Sequence, residues 1–312
     1  MRVVFMGTPD FAVPSLEITA KEHELLAVVT QPDRKRDRGQ NVKFSPIKDR
    51  ALAYDVPIYQ PEKVSTSEFI ALMEQLNPDV IVVVAFGQKI PKALLELPAH
   101  GCINVHASLL PQYRGAAPIQ YAIINGDQKT GVTTMYLNDG WDEGDMILQA
   151  EEPIYPSDTA GTLHDRLAVK GAELLGETLR QIEAGTAPRI PQDHEQATYA
   201  YKLEKSDGEI DWNLNAVNIH NLVRGLNPWP TAYTYLGKEM LKLWETEVVG
   251  SREYPPGEIL EISPQGILVG TPQGGLLLKQ VQRQGSRMMA AYDAANGLRM
   301  KVGQVLGAHH EN

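Results

Sequence analysis

The sequence predicts an α/β protein: a doubly wound, mostly parallel sheet of the Rossmann-like kind, followed by a small β-barrel or sandwich. Three observations carry that prediction. From residue 1 to about residue 185, short apolar runs alternate with helical periodicities, the pattern of a sheet covered by helices on both faces. Residues 80–86, Val-Ile-Val-Val-Val-Ala-Phe, are apolar without alternation, as a central parallel strand buried on both faces must be. After Gly185 the texture changes to short strand-like pieces punctuated by Gly and Pro, the pattern of a barrel or sandwich.

Element by element, residues 1–7 form a short apolar run ending at Gly7-Thr-Pro-Asp10, and helical spacing begins at about Pro14. Residues 24–30 make a second apolar strand, and the segment 31–45 after it, with no period and few apolar anchors, reads as a loop. Phe69, Leu72, Met73 and Leu76 give residues 65–76 one apolar helical face, and Pro78-Asp79 introduces the 80–86 strand. A helix over 91–96, a strand over 102–106, a helix over 118–124 and strands over 132–137 and 146–150 continue the alternation. Residues 159–184 read as a long amphipathic helix with Leu163, Leu167, Leu174, Leu175, Leu179 and Ile182 on one side. The stretch 186–206 is rich in Pro, Gln, Asp and Thr without a sustained period and reads as a linker. Strands over 231–235, 239–249, 257–262, 266–269 and 275–281, with a helix at 216–224, complete the chain. The expected domains are residues 1–188, a linker at 189–206, and a second domain at 207–312.

Composition narrows the function classes. With 43% hydrophobic and 22% charged residues, the chain has ordinary globular composition rather than that of a disordered protein. No apolar run approaches the roughly 18–20 residues that span a bilayer. Residues 1–7 fit neither a secretory core nor a transit peptide, so a cytoplasmic protein with no membrane contact is expected. The single cysteine, Cys102, allows no internal disulfide, which fits a reducing compartment. A net charge of −10 argues against a surface that binds polyanions everywhere. One local exception exists: Arg34, Lys35, Arg36, Arg38, Lys43, Lys48 and Arg50 crowd a segment in which only Asp33, Asp37 and Asp49 oppose them.

The residues best suited to chemistry are Asn104 and His106, two apart at the end of a predicted strand. Side chains at i and i+2 leave one face, so both can grip the same oxygen atom. Residues 108–111 then leave the strand at the sheet edge where open α/β folds bind ligands. Either residue alone reads better as a strand-end group satisfied by backbone; together at the sheet edge they read equally well as a site. A third group is needed to orient or charge the imidazole, and Asp139 and Asp142, in the turn 138–145 after the next strand, are the candidates. That turn also reads simply as an acidic, glycine-punctuated loop, and it lacks calcium-loop spacing. Gly7-Thr-Pro-Asp-Phe11 has no dinucleotide glycine fingerprint, which argues against a nicotinamide enzyme. Ser108 lacks a nucleophile-elbow context, and Cys102 with His106 lacks zinc-site spacing, so no metal is expected.

Together, Gly7-Thr-Pro-Asp-Phe-Ala12, Gln31-Pro-Asp-Arg34, Asn104-Val-His-Ala-Ser-Leu-Leu-Pro111, Arg114-Gly-Ala-Ala-Pro-Ile119 and Asp142-Glu-Gly-Asp145 resemble the methionyl-tRNA formyltransferases. Ile210-Asp-Trp212 and Asn227-Pro-Trp-Pro230 carry the resemblance into the second half. The central elements alone also resemble ribonucleotide and sugar-nucleotide formyltransferases. The paired ends narrow the choice.

The resemblance implies 10-formyltetrahydrofolate as donor, the amino group of methionine on initiator methionyl-tRNA as acceptor, and a monomeric enzyme. It implies Asn104, His106 and Asp142 as catalytic residues and Ser108, Leu109, Leu110 and Pro111 as the folate contact. The basic segment, through Arg34, Lys35, Arg36, Arg38 and Lys43, would meet the tRNA, although Lys35, Arg36 and Asp37 depart from the proline and small residues of the family's loop. The second domain, by the same resemblance an OB-like β-barrel, would add a further tRNA surface, with Lys279, Arg283, Arg287, Arg299 and Lys301 as its cations. The competing readings are a small-amine formyltransferase, a formyltetrahydrofolate hydrolase and a noncatalytic RNA-binding protein on the same fold.

Overall fold

The computed structural model describes residues 1–35 and 42–307, and the chain forms two compact units. The first comprises Met1–Pro118, Lys129–Pro153 and His164–Ala200; the second comprises Ile119–Gln128, Ile154–Leu163 and Tyr201–Asn312. In chain order the elements up to the fourth helix are β1 (Arg2–Gly7), α1 (Val13–Glu22), β2 (Glu24–Val29), β3 (Arg34–Lys35), β4 (Val42–Lys43), α2 (Pro46–Ala51), β5 (Ile58–Tyr59), α3 (Ser67–Leu76), β6 (Val80–Val84) and α4 (Lys92–Leu95). They continue with β7 (Cys102–His106), β8 (Arg114–Gly115), α5 (Pro118–Ile124), β9 (Lys129–Tyr136), β10 (Met146–Pro153), α6 (Ala160–Glu183) and β11 (Tyr199–Ala200).

The first unit is built on a seven-stranded sheet in the order β10-β9-β7-β6-β1-β2-β5. Five strands, β5 to β7 along that path, run parallel, and β9 and β10 are antiparallel additions at one side. The chain winds outward from β1 to β2 and β5, then returns to β6 on the other side of β1. That reversal puts the carboxyl ends of β1, β6 and β7 side by side, the crevice where such sheets take ligands. Register makes the placement concrete: Gly7 lies opposite Val84, and Val83 opposite Asn104.

The residues account for these elements. All of β6 is buried, so its uninterrupted apolar run is explained by neighbours on both faces. Its end is forced: Ala85 has φ +46° and Gly87 φ +87°, which turn the chain away after the strand. Ser45 and Thr66 cap α2 and α3 by accepting from Lys48 N and Phe69 N. On α6, Leu167, Leu175, Leu179 and Ile182 are buried, and Gly171 permits close approach to β7, since a Cβ there would lie 2.9 Å from Val105 Cγ1. Val105 points away from the Asn104 and His106 face, so α6 supports the strand from behind. Cys102 is 1% exposed, its Sγ donates to Leu94 O at 3.4 Å, and burial pushes the thiol pKa up to about 12.

Two stretches differ from their sequence reading. The loop 31–45 contains a short paired stem, with Arg34 opposite Lys43 and Lys35 opposite Val42. The stretch 186–206 is more than a tether: Ile190 bridges Met146, and β11 runs parallel to β8. Gln192, His194 and Thr198 are bonded to Asp142, Gly144, Arg114 and Tyr113, so the lack of period there reflects pairing in single steps, which no helix or strand pattern records.

The second unit continues with α7 (Ala216–Gly225), β12 (Ala232–Leu236), β13 (Glu239–Val249), β14 (Ile259–Ser263), β15 (Gly266–Gly270), β16 (Gly275–Arg283), β17 (Met288–Ala290) and α8 (Ala291–Leu298). Its six strands form an antiparallel sheet in the order β12-β13-β16-β15-β14, with β17 also paired to β16. Irregular register around Glu245 bends β13. Leu241, Leu243, Ile267, Val269, Leu276 and Leu278 are buried in this sheet, as are Ile219 and Val223 of α7. Trp212 is buried too and donates from Nε1 to Thr234 Oγ1 at 2.9 Å, whereas Trp229 is exposed. Among the described residues, no helix is long and apolar enough to cross a membrane.

One packing test follows from β9. A Cβ on Gly131 would stand 2.2 Å from Ala150 O across the β9–β10 pair and 2.6 Å from Leu109 Cδ2. Gly131→Ala is expected to destabilise the protein by about 1–3 kcal/mol through overpacking, read as a lower urea midpoint at unchanged slope.

Candidate active site

Strand β7 presents Asn104 and His106 on one face at its carboxyl end. His106 is 6% exposed, and its two ring nitrogens have different neighbours. Nε2 lies 2.9 Å from Tyr113 O. A carbonyl only accepts, so Nε2 carries hydrogen and Nδ1 is the nitrogen whose protonation is free to change. Nδ1 faces Asp142 Oδ2 at 3.7 Å, a distance suited to attraction between charges but longer than a hydrogen bond. Asn104 is half-buried, and its amide has no hydrogen-bond partner among the described residues. An unpaired amide beside an imidazole on a ligand-binding edge is a donor held ready for something outside the chain.

Asp142 comes from the turn between β9 and β10. Its backbone is left-handed at φ +53°, a region Asp tolerates better than most residues, and its Oδ2 accepts from Gly115 N at 2.9 Å. Asp139, the other acidic candidate, is exposed on the same turn. The main chain of the turn is also gripped by Gln192, whose own partner is Arg114.

The loop after β7 is shaped from within. Ser108 is fully buried and donates from Oγ to Gln112 O at 2.6 Å. Thr133 Oγ1 donates to Ser108 O at 2.7 Å, and it accepts from Leu110 N at 3.1 Å and from Gln149 Nε2 at 2.9 Å. Leu110 is buried, whereas Leu109 and Pro111 are half-buried and keep surface for a ligand. Of the apolar run 80–86, Val80 to Val84 are core; the chain is exposed at Ala85 and, just beyond the run, at Gly87.

The basic segment is divided. Arg34, Lys35 and Lys43 lie on the β3–β4 stem, Lys43 exposed, while Arg36 and Arg38 lie outside the described residues. Lys48 is not a free cation: its Nζ donates to Asp33 and, at 2.8 Å, to Gln60 Oε1. The Lys48 ammonium and then the Gln60 amide hold the Asp33 carboxyl below the usual carboxylate range. Arg50 pairs with Glu17 at 2.7 Å. Cations late in the chain are partly neutralised as well, Lys279 by Glu245 at 3.0 Å and Arg283 by Glu239 at 3.9 Å. Among the described residues, no three His, Cys, Asp or Glu are grouped to hold a metal ion.

Residues 1–179 match the formyl transferase family, and residues 202–299 match the formyl transferase C-terminal domain. The chain is 51% identical over 310 residues to the methionyl-tRNA formyltransferase of Desulforamulus reducens, covering 98% of each. The chain belongs to the methionyl-tRNA formyltransferase family. It is 50% identical over 309 residues to the methionyl-tRNA formyltransferase of Clostridioides difficile, covering 98% of this chain and 100% of that one. Among solved structures, the N-formyltransferase of Helicobacter canadensis in complex with folinic acid and dTDP-3-aminofucose shares the fold. Its TM-score is 0.65 at 20% identity, with coverage of 88% of this chain and 98% of that one.

Sequence reasoning missed Thr133, Gln149, Gln192 and the part Arg114 plays. Single polar residues in strands or irregular segments carry no periodic signal, and only Arg114, inside a recognisable motif, was open to being found. Removing the Thr133 hydroxyl leaves the buried Leu110 N unsatisfied. Thr133→Val is therefore expected to cost about 1–3 kcal/mol of stability, measured by urea unfolding.

Proposed function

We propose that this chain transfers the formyl group of 10-formyltetrahydrofolate to the amino group of methionine on initiator methionyl-tRNA, acting in the cytoplasm. The observation that carries the reading is the meeting of an unpaired Asn104, a fixed His106 and Asp142 at the carboxyl end of the central strands. All three come from one chain, so a monomer suffices.

Attack of the neutral amine on the formyl carbon leaves an oxyanion and a positively charged nitrogen. Asn104 donates its free N–H to the oxyanion. His106 keeps Nε2–H on Tyr113 O; when protonated at Nδ1 it adds positive charge beside the oxyanion, steadied by Asp142. Asp142, or a water it holds, takes the proton from the positively charged nitrogen of the tetrahedral intermediate. Collapse then breaks the bond to the folate N10, which receives that same proton from Asp142 or its water as it leaves, and the formyl group stays on the methionine.

The folate lies on Leu109, Pro111 and the exposed turn after β6, with Ser108 and Leu110 keeping the loop in shape. The basic stem and the segment it closes contact the tRNA, with Arg34, Lys35, Arg36, Arg38 and Lys43 as the phosphate-facing cations. The C-terminal part of the chain, residues 207–312, supplies another tRNA surface.

The decisive assay follows labelled formyl from 10-formyltetrahydrofolate to charged initiator tRNA, with uncharged tRNA and free sugar-nucleotide amines as controls. Formylation of the small amines alone would assign a different acceptor, and formate release without any acceptor would assign a hydrolase. Asn104→Ala and Asp142→Asn are each expected to lower kcat by about 10²–10³, with folate binding less affected. Near wild-type kcat in either removes that residue from the mechanism.

For the basic segment, the logarithm of the affinity for tRNA should fall linearly as log salt rises. Removing one phosphate contact by Lys43→Ala should flatten that slope by about 0.7–0.9. A tRNA affinity unchanged by Arg36→Ala combined with Arg38→Ala excludes the segment from the interface.

A further inference from the structure

We propose that Gln192 is a positioning residue for Asp142, itself fixed by Arg114. The proposal rests on the catalytic reading of Asp142 given above. Gln192 Nε2 donates to Asp142 O at 2.9 Å and to Gly144 O at 2.8 Å, while its Oε1 accepts from Arg114 Nε at 3.0 Å. The polarity of every contact is fixed: two carbonyls can only accept, and a guanidinium can only donate. One orientation of the amide therefore satisfies all three, and the flipped amide satisfies none. Gln192 is 6% exposed and Arg114 1%, so water does not compete for these bonds.

The turn needs such a hold. Asp142 sits in the left-handed region at φ +53°, and the chain passes so close to β9 at Gly144 that a Cβ would lie 1.8 Å from Tyr136 O. Gly115 N holds the carboxylate of Asp142, and Gln192 holds its carbonyl. Arg114 and Gly115 are both of β8, which is paired with Tyr199–Ala200 of β11 a few residues beyond Gln192. Thr198 Oγ1 accepts from Tyr113 N at 2.8 Å, so the same stretch also steadies the residue whose carbonyl holds His106. Arg114 brings charge as well. Its Nη1 stands 3.9 Å from Glu143 Oε2 and 3.2 Å from His194 Nδ1, and its buried Nη2 has no hydrogen-bond partner among the described residues. The guanidinium charge is thus left to act on the acidic turn as a whole.

Gln192→Glu tests this, because it keeps the size and the acceptor for Arg114 but removes both donors. The expected result is a kcat about ten- to a hundredfold lower in formyl transfer to methionyl-tRNA, with KM for 10-formyltetrahydrofolate unchanged. The double variant with Asp142→Asn should be no slower than Asp142→Asn alone, since the two changes remove one function. Additive losses, or an unchanged kcat in Gln192→Glu, overturn the proposal. Retained turnover in Asp142→Asn overturns the reading of Asp142 itself, which separates the two failures. If Gln192→Glu does not fold, Arg114→Lys keeps the charge and removes the N–H that fixes the amide. It should likewise lower kcat without moving the folate KM, and an unchanged kcat there overturns the role of Arg114.

Discussion

The imidazole of His106 has two nitrogens and two neighbours, a carbonyl on one side and a carboxylate on the other. Much of the first unit serves to keep those neighbours where they are. The carbonyl of Tyr113 follows a loop pinned by Thr133, and Tyr113 itself is in the left-handed region at φ +57°. The carboxylate of Asp142 is reached only because the turn between β9 and β10 folds back toward β8. A ring so held has one tautomer when neutral and one place to accept a second proton. The sheet contributes the strand end, but the precision comes from irregular chain on three sides of it.

The parallel sheet was legible because β6 is apolar on both faces and because strands and helices alternate with ordinary spacing. Asn104 and His106 were legible as a pair because a strand has period two. Asp142 was set apart from Asp139 by the family resemblance and not by spacing; in three dimensions one faces the ring and the other solvent. Gln192 had no signal at all: it lies in a stretch without period, and its importance comes from pairing across fifty residues to Asp142. A reading based on periodicity finds elements and is blind to the bonds that tie irregular segments to them.

Charge was only partly legible. The sequence places seven cations near residues 34–50, but Lys48 and Arg50 are engaged with Asp33 and Glu17. Lys48 also stands 3.9 Å over the ring of Phe44, so it helps brace the root of the β3–β4 stem. Gln60 joins that brace by donating to Gln31 O and to Asp33 Oδ1. Counting cations therefore overstates what is available to a polyanion, and the exposed Lys43 is a better guide than the total.

The lone thiol of Cys102 sits under α4, out of reach of solvent and far too weakly acidic to ionise at neutral pH. Its burial makes the natural chain spectroscopically silent toward thiol reagents while folded. A cysteine introduced on the surface, at the position of Lys43 for instance, would then be the only reactive one. A dye or spin label placed there would test the proposed tRNA contact without a prior round of cysteine removal.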